Sequence, residues 1–172
     1  MPPGLLDKRS ILELVRAAPP LIEGAVDLEA QVQPNGFDLT LRDVAAYASA
    51  GAIDFSNALR VLSDTELMRF DSGGRLFMEP GSYLVTFNEV VNLPRDLAAL
   101  GRTRSSLLRC GVALHTAVWD AGYRGRSQSL LTVYNPHGFT LHRDARIVQL
   151  VFLRLAQPVD AGYAGRFLGE NV

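Results

Sequence analysis

An all-β domain preceded by one short helix is the fold this chain predicts. Two observations carry that prediction. From Leu21 onward, short apolar runs alternate with Gly, Pro, Asn and Asp, the pattern of strands and their turns. Before Leu21 the pattern is helical, with Ile11, Leu12, Leu14 and Val15 on one face. The 172 residues are the size of one ordinary domain, and residues 1–172 are read as one, without linker or internal repeat.

The helix is expected within residues 1–20, from Leu5 to Ala18, with Asp7 as its cap. Pro19-Pro20 ends it, because a residue before proline avoids the α region. Gln31 to Leu41 reads as a turn entering a strand. Arg42 to Ser49 is open between helix, by its alanines, and extended chain. Ala52–Phe55 and Arg75–Met78 are short strand candidates, Glu79–Ser82 a turn, and Tyr83–Phe87 a strand by its β-branched and aromatic content. Leu93–Leu100, with proline near its start, suits a short helical turn. Leu130–Tyr134 is a strand, Asn135–Gly138 a turn, and Ile147–Leu155 the most buried-looking strand of the chain. Residues 158–172 are Gly-rich and without a core pattern, which suits either a frayed tail or a segment closing over a site.

Composition narrows function. A formal net charge of −1 gives no general attraction to nucleic acid or to an anionic membrane, so any anionic ligand is bound locally and is small. The single cysteine, Cys110, excludes an internal disulfide and a cysteine zinc site, and its place between Arg109 and Gly111 before an apolar run suits a small buried residue. His115, His137 and His142 lack zinc-ligand spacing. Neither a serine nucleophile elbow nor a P-loop is present. No stretch is long enough to span a bilayer and the N-terminus has no signal pattern, so the expected location is the cytoplasm.

The stretch from Arg104 to Asn135 carries the chemistry. Arg104, Ser105, Ser106 and Arg109 put two guanidiniums and two hydroxyls into six positions, a good arrangement for holding phosphate oxygens. Trp119-Asp120-Ala121-Gly122-Tyr123 then sets one carboxylate at the edge of a Gly-punctuated turn. Beside a phosphate cradle, Asp120 is a candidate general base for attack of water on phosphorus. Taken alone, either segment also reads as an ordinary solvated loop or hairpin turn.

Order and spacing of these segments resemble the dCTP deaminase and dUTPase superfamily, and within it the archaeal-type dUTPase branch. Five segments carry the resemblance: Gln33–Leu39, Arg104–Arg109, Thr116–Gly125, Arg146–Phe152 and Tyr163–Asn171. The resemblance implies a distorted jelly-roll or β-barrel protomer, assembled as a homotrimer with sites between subunits, and it favours strand over helix at Arg42–Ser49. It further implies that Mg²⁺ is held chiefly by the nucleotide triphosphate and not by protein ligands.

On this resemblance the substrate is dUTP, Asp120 is the catalytic base, and Tyr123 packs on deoxyribose and excludes a 2′-hydroxyl. Arg104, Ser105, Ser106, Arg109 and Gln149 would hold the triphosphate. The base would be read around His115 and Thr116, although a packed or exposed strand histidine is the plainer reading of His115. Tyr163, Arg166 and Phe167 would close the tail over the nucleotide, with Arg166 on phosphate and Phe167 on the base. The deaminase branch carries a Glu on the strand after the Asp segment. Arg126 to Asn135 contains no carboxylate, which disfavours deamination unless a Glu such as Glu89 or Glu170 arrives from elsewhere. The further alternative is a nucleotide-binding trimer without catalysis.

Overall fold

A computed structural model of the chain describes residues 4–172. Strand β1 (Gly4–Leu5) precedes helix α1 (Lys8–Val15), β2 (Ile22–Glu23) and the one-turn helix α2 (Leu28–Gln31). There follow β3 (Val32–Gln33), β4 (Gly36–Tyr47), β5 (Thr65–Leu67), β6 (Arg75–Met78), β7 (Gly81–Phe87), β8 (Val90–Asn92) and β9 (Leu97–Thr103). The short helix α3 (Ser105–Arg109) leads to β10 (Val112–His115), β11 (Val118–Trp119), β12 (Arg124–Gly125), β13 (Gln128–Val133), β14 (Phe139–His142) and β15 (Arg146–Arg154). The expected all-β chain with a short leading helix is what forms.

Asp7 caps α1 as expected, accepting a hydrogen bond from the Ser10 N–H at 2.9 Å. The helix is shorter than Leu5–Ala18, because Gly4 and Leu5 pair instead with Arg154 and Leu153 of β15. Residues 1–3 of the expected helical region lie outside the described residues. Ile11 is the side chain α1 buries completely.

Strand β4 organises the rest. Its first half, Phe37 to Thr40, pairs with β15, and its second half, Leu41 to Ala46, pairs with β7. Register shifts on both sides near Leu41 let one strand pass from one sheet face to the other, the usual device for turning a corner. Both of its faces are covered: Phe37, Leu39, Leu41 and Val44 fill the core, while Asp38 and Thr40 are buried opposite them. Further along, pairing with β7 on one edge and β5 on the other overrides the helix preference of Ala45 and Ala46. The curled sheet runs β10-β13-β7-β4-β15-β9-β11, with β12-β8-β2 and β14-β6 as smaller sheets.

Three local expectations are corrected. Leu93–Leu100 is not helical: only Pro94–Asp96 turn, closed by Leu97 N–H on the Pro94 carbonyl, before β9 begins. Leu-Ala-Ala-Leu fits either period, and pairing with β15 and β11 on both edges selects the strand. Ala52–Phe55 forms one bridge, Ala52 to Val61, because the Asp54 carboxylate bonds Ser56 and Leu59 and holds a loop. Cys110 is exposed, being the residue that ends α3.

Candidate active site

Two clusters of polar side chains form, at opposite ends of β9. At its start, Ala99 and Leu100 pair with Trp119 and Val118. The turn after Trp119 is closed by Tyr123 N–H on the Asp120 carbonyl at 3.0 Å. The flanking strands do not pair as a hairpin, since β11 joins β9 and β12 joins β8. Asp120 therefore stands at a gap between two sheets, at the edge of a cleft of about 780 Å³.

Tyr123 is buried in the floor of this cleft. Its hydroxyl donates to Glu170 Oε1 at 2.8 Å, and its ring meets that of Tyr163 edge-on, with centroids 5.8 Å apart. Burial, reinforced by the Glu170 hydrogen bond, pushes the Tyr123 phenol far above its ordinary value. Burial likewise pushes the Glu170 carboxyl up. Trp119 donates its indole N–H to Ser127 Oγ at 3.0 Å, which fixes the wall between Asp120 and β13. The Asp120 carboxylate is exposed to the cleft, and no cation among the described residues pairs with it.

The tail after β15 closes one side of the cleft. Tyr163 N–H bonds the Ala121 carbonyl at 2.8 Å, Gly169 N–H the Arg124 carbonyl at 2.7 Å, and Arg126 N–H the Glu170 carbonyl at 2.9 Å. Tyr163, Phe167 and Glu170 line the cleft, while Arg166 lies exposed between the first two.

The second cluster lies where β9 ends and α3 begins. Arg104 precedes α3 and pairs through Nε with Asp38 Oδ2 at 3.1 Å, and its Nη1 donates to the Arg146 carbonyl at 3.2 Å. Arg146 Nη1 reaches the same Asp38 oxygen at 3.5 Å. Asp38 is buried, and its Oδ1 has no hydrogen-bond partner. Burial pushes its carboxyl up, against the opposing pull of the two guanidiniums. Gln149 pairs in register with Asp38 and with Arg102, so these three share one face of the sheet. Ser105 and Ser106 are exposed on the first turn of α3, and Arg109 donates to the Ser105 carbonyl at 3.1 Å.

The predicted residues thus divide. Asp120, Tyr123, Tyr163 and Phe167 share the cleft, and Arg104, Ser105, Ser106, Arg109 and Gln149 share the cationic cluster. Thr116 precedes the cleft wall and donates to the Gly101 carbonyl at 3.3 Å, whereas His115 is exposed and contacts the Tyr134 hydroxyl at 3.3 Å. Ala98, opposite the Asp120 end of β11, and Arg104 are six residues apart, roughly 20 Å along an extended strand. Within one protomer the two clusters therefore stand well apart along β9. Trp119 and Ser127 in the cleft and Asp38 beneath the guanidiniums carry roles that the sequence does not announce, whereas Glu170, named from sequence as a carboxylate that could come in from elsewhere, does line the cleft. A charged residue in an alternating apolar strand, Phe37-Asp38-Leu39, was the available signal for Asp38.

A corner-turned β-sheet bearing an acidic, aromatic cleft and a separate arginine-serine cluster defines a class of small β-proteins with two polar sites. Within that class, residues 5–155 match the model of the dCTP deaminase-like family, and the chain belongs to that family. It is 50% identical over 168 residues to a probable deoxyuridine 5′-triphosphate nucleotidohydrolase of Methanosarcina mazei, covering 98% of each chain. It is 35% identical over 143 residues to the deoxyuridine 5′-triphosphate nucleotidohydrolase of Methanocaldococcus jannaschii, covering 83% of this chain and 90% of that one. Among solved structures, the 2′-deoxycytidine 5′-triphosphate deaminase of Agrobacterium tumefaciens has the same fold, with TM-score 0.66 and 22% identity over 90% of this chain and 49% of that chain.

Proposed function

We propose that this chain hydrolyses dUTP to dUMP and pyrophosphate, as a homotrimer whose sites are shared between copies. The observation that carries the reading is Asp120, an unpaired carboxylate at the mouth of the cleft, directly beside buried Tyr123. It stands in a chain about half identical to archaeal proteins named for dUTP hydrolysis.

Asp120 takes a proton from water, and the water oxygen bonds to the α-phosphorus. The bond from that phosphorus to the α,β-bridging oxygen breaks, and pyrophosphate leaves with the electron pair. Tyr123, held by Glu170 and Tyr163, presents a fixed ring to the sugar and leaves no space for a 2′-hydroxyl. Uracil is recognised by backbone groups near His115 and Thr116, with Phe167 over the base and Arg166 toward phosphate. Arg104, Ser105, Ser106, Arg109 and Gln149 of a neighbouring copy hold the triphosphate. The 20 Å separation within one protomer supports this division.

Among the described residues, no group of three or more His, Cys, Asp or Glu side chains could hold a metal ion. Mg²⁺ would come with the triphosphate and would offset the charge of its phosphates, while Arg104, Ser105, Ser106, Arg109 and Gln149 hold the phosphate oxygens. No helix among the described residues is long and apolar enough to cross a membrane, and we place the reaction in the cytoplasm.

Deamination is the weaker reading. Glu89 is fully buried, its carboxylate taken up by Thr40 and Gln31. Glu170 does line the cleft, but it is engaged by Tyr123. Incubation with dUTP and dCTP in separate reactions with Mg²⁺ tests the assignment. dUMP and pyrophosphate from dUTP alone are expected, and release of ammonia from dCTP would overturn the exclusion of deamination.

A further inference from the structure

Between β4 and β5 the chain leaves the sheet as an arm of residues 48–64. The arm is internally built. Ala52 and Val61 exchange two backbone hydrogen bonds of 2.8 Å, and Asp64 N–H donates to Ser49 Oγ at 2.8 Å. At its tip the Asp54 carboxylate accepts from the Ser56 hydroxyl at 2.6 Å and from the Leu59 N–H at 3.0 Å. This ordered tip nevertheless presents its apolar side chains to solvent: Phe55 is fully exposed at 107%, Leu59 at 74% and Ile53 at 72%. Scattered exposed apolar residues are ordinary, but a set of them on one ordered projection marks an interface.

The base of the arm, at Ala52, Ile53, Val61 and Leu62, is a wall of the cleft that contains Asp120 and Tyr123. The cationic cluster at the other end of β9 has an apolar rim of its own. Leu108 on α3 and Tyr134, bonded to the Gly111 carbonyl just beyond α3, are both exposed. An apolar arm beside the cleft and an apolar rim beside the cradle suit a head-to-tail contact, which closes into a ring where the rotation between copies allows it.

We propose that the arm of one copy docks on the cradle-bearing face of the next, setting Phe55 and Leu59 against the Leu108–Tyr134 rim and delivering that copy's Arg104, Ser105 and Ser106 to the cleft. This inference rests on the shared-site reading above. The occupant is a second copy of this chain, because the arm's base is already a wall of the site that a second copy must complete.

Two experiments test it. The Phe55→Asp/Leu59→Asp double variant is expected to sediment as the protomer and to lose dUMP formation, with its far-UV circular dichroism retained. Oxidation of Phe55→Cys/Leu108→Cys in a Cys110→Ser background is expected to link subunits covalently, reversibly with a thiol. The proposal is overturned if the double Asp variant assembles and turns over like the wild type, or if an assembled double-Cys protein forms no link. Mixing Arg104→Ala subunits with Asp120→Asn subunits separates the two ideas. If the mixture regains turnover and the arm variant is unaffected, only the arm assignment falls; full turnover by a monomeric wild-type chain removes the shared site as well.

Discussion

The Tyr123 hydroxyl donates to Glu170 at 2.8 Å, so the C-terminal tail and the floor of the cleft are one unit. Ring and hydroxyl then have separable tasks. Tyr123→Phe removes one hydrogen bond, worth about 1 kcal/mol of stability, and keeps the ring. Its ratio of dUTP to UTP turnover should match that of the wild type. Tyr123→Ala opens the sugar site and a core position together, costing about 3–5 kcal/mol by analogy with other aromatic truncations. Turnover of UTP relative to dUTP should rise in that variant. An unchanged ratio would remove Tyr123 as the sugar filter.

Asp120→Asn keeps the shape of the cleft and removes the base. Because the carboxylate is exposed and unpaired, folding should be unaffected, with a melting temperature near that of the wild type. Turnover of dUTP should fall on the order of 10²–10⁴-fold, the usual contribution of a positioned general base. Binding of a non-hydrolysable dUTP analogue, measured by calorimetry, should be largely kept. Wild-type turnover in this variant would exclude Asp120 as the base.

Much of this was legible in the sequence, and the failures have identifiable causes. The strands Tyr83–Phe87, Leu130–Tyr134 and Ile147–Leu155 are readable because β-branched, aromatic and other apolar residues concentrate there between turn signals, and each segment buries part of that set. Leu93–Leu100 was misread because four small apolar residues satisfy both periods, and only the flanking strands decide. The arm was misread because a side-chain carboxylate, Asp54, competes locally with strand pairing. Asp120 and Tyr123 could be found because they adjoin in sequence. Glu170 joins them across 47 positions, and Asp38 lies 66 positions before Arg104, separations that no local pattern reveals.

Arg104 is tied to Asp38, and this pair makes a structural prediction independent of catalysis. Asp38 is 1% exposed, so Arg104→Ala leaves a buried carboxylate with only the more distant Arg146 guanidinium. Removing one partner of a buried ion pair costs about 3–5 kcal/mol, and the remaining arginine should hold the loss to the lower part of that range. Urea unfolding measures it. Arg104→Lys should recover part of the stability but less of the affinity for a dUTP analogue, because lysine cannot present the planar fork of guanidinium donors. Equal recovery of both would mean that Arg104 serves Asp38 alone.

Glu89 makes stability depend on pH in a direction set by its burial. Its carboxyl is pushed above the ordinary 4.5, with burial the main cause and the bonds from Thr40 and Gln31 opposing it. A group whose folded value is raised contributes stability that is complete below its unfolded value and declines as pH rises through its folded value. The difference in unfolding free energy between wild type and Glu89→Gln should therefore shift against the wild type as pH rises from about 4.5 toward neutrality. A difference that stays flat, or moves the other way, would mean that the three donated hydrogen bonds outweigh burial.

Gly122 decides whether the tail can stay seated. Its φ is +83°, a region that side chains disfavour, and a Cβ there would meet Gly162 Cα at 2.6 Å and Tyr163 N at 3.0 Å. The obstruction is backbone, so no side-chain rotation relieves it. Gly122→Ala should push residues 162–163 away from the Asp120 turn, stretching the hydrogen bond from Tyr163 N–H to the Ala121 carbonyl and loosening the Tyr123–Tyr163 edge contact. Limited proteolysis should then cut the tail faster than in the wild type, with the sheet core resisting equally in both. KM for dUTP should rise more than kcat falls, since Asp120 keeps its place while Phe167 and Glu170 lose theirs. Unchanged proteolysis together with unchanged KM would show that the tail contributes nothing to holding nucleotide.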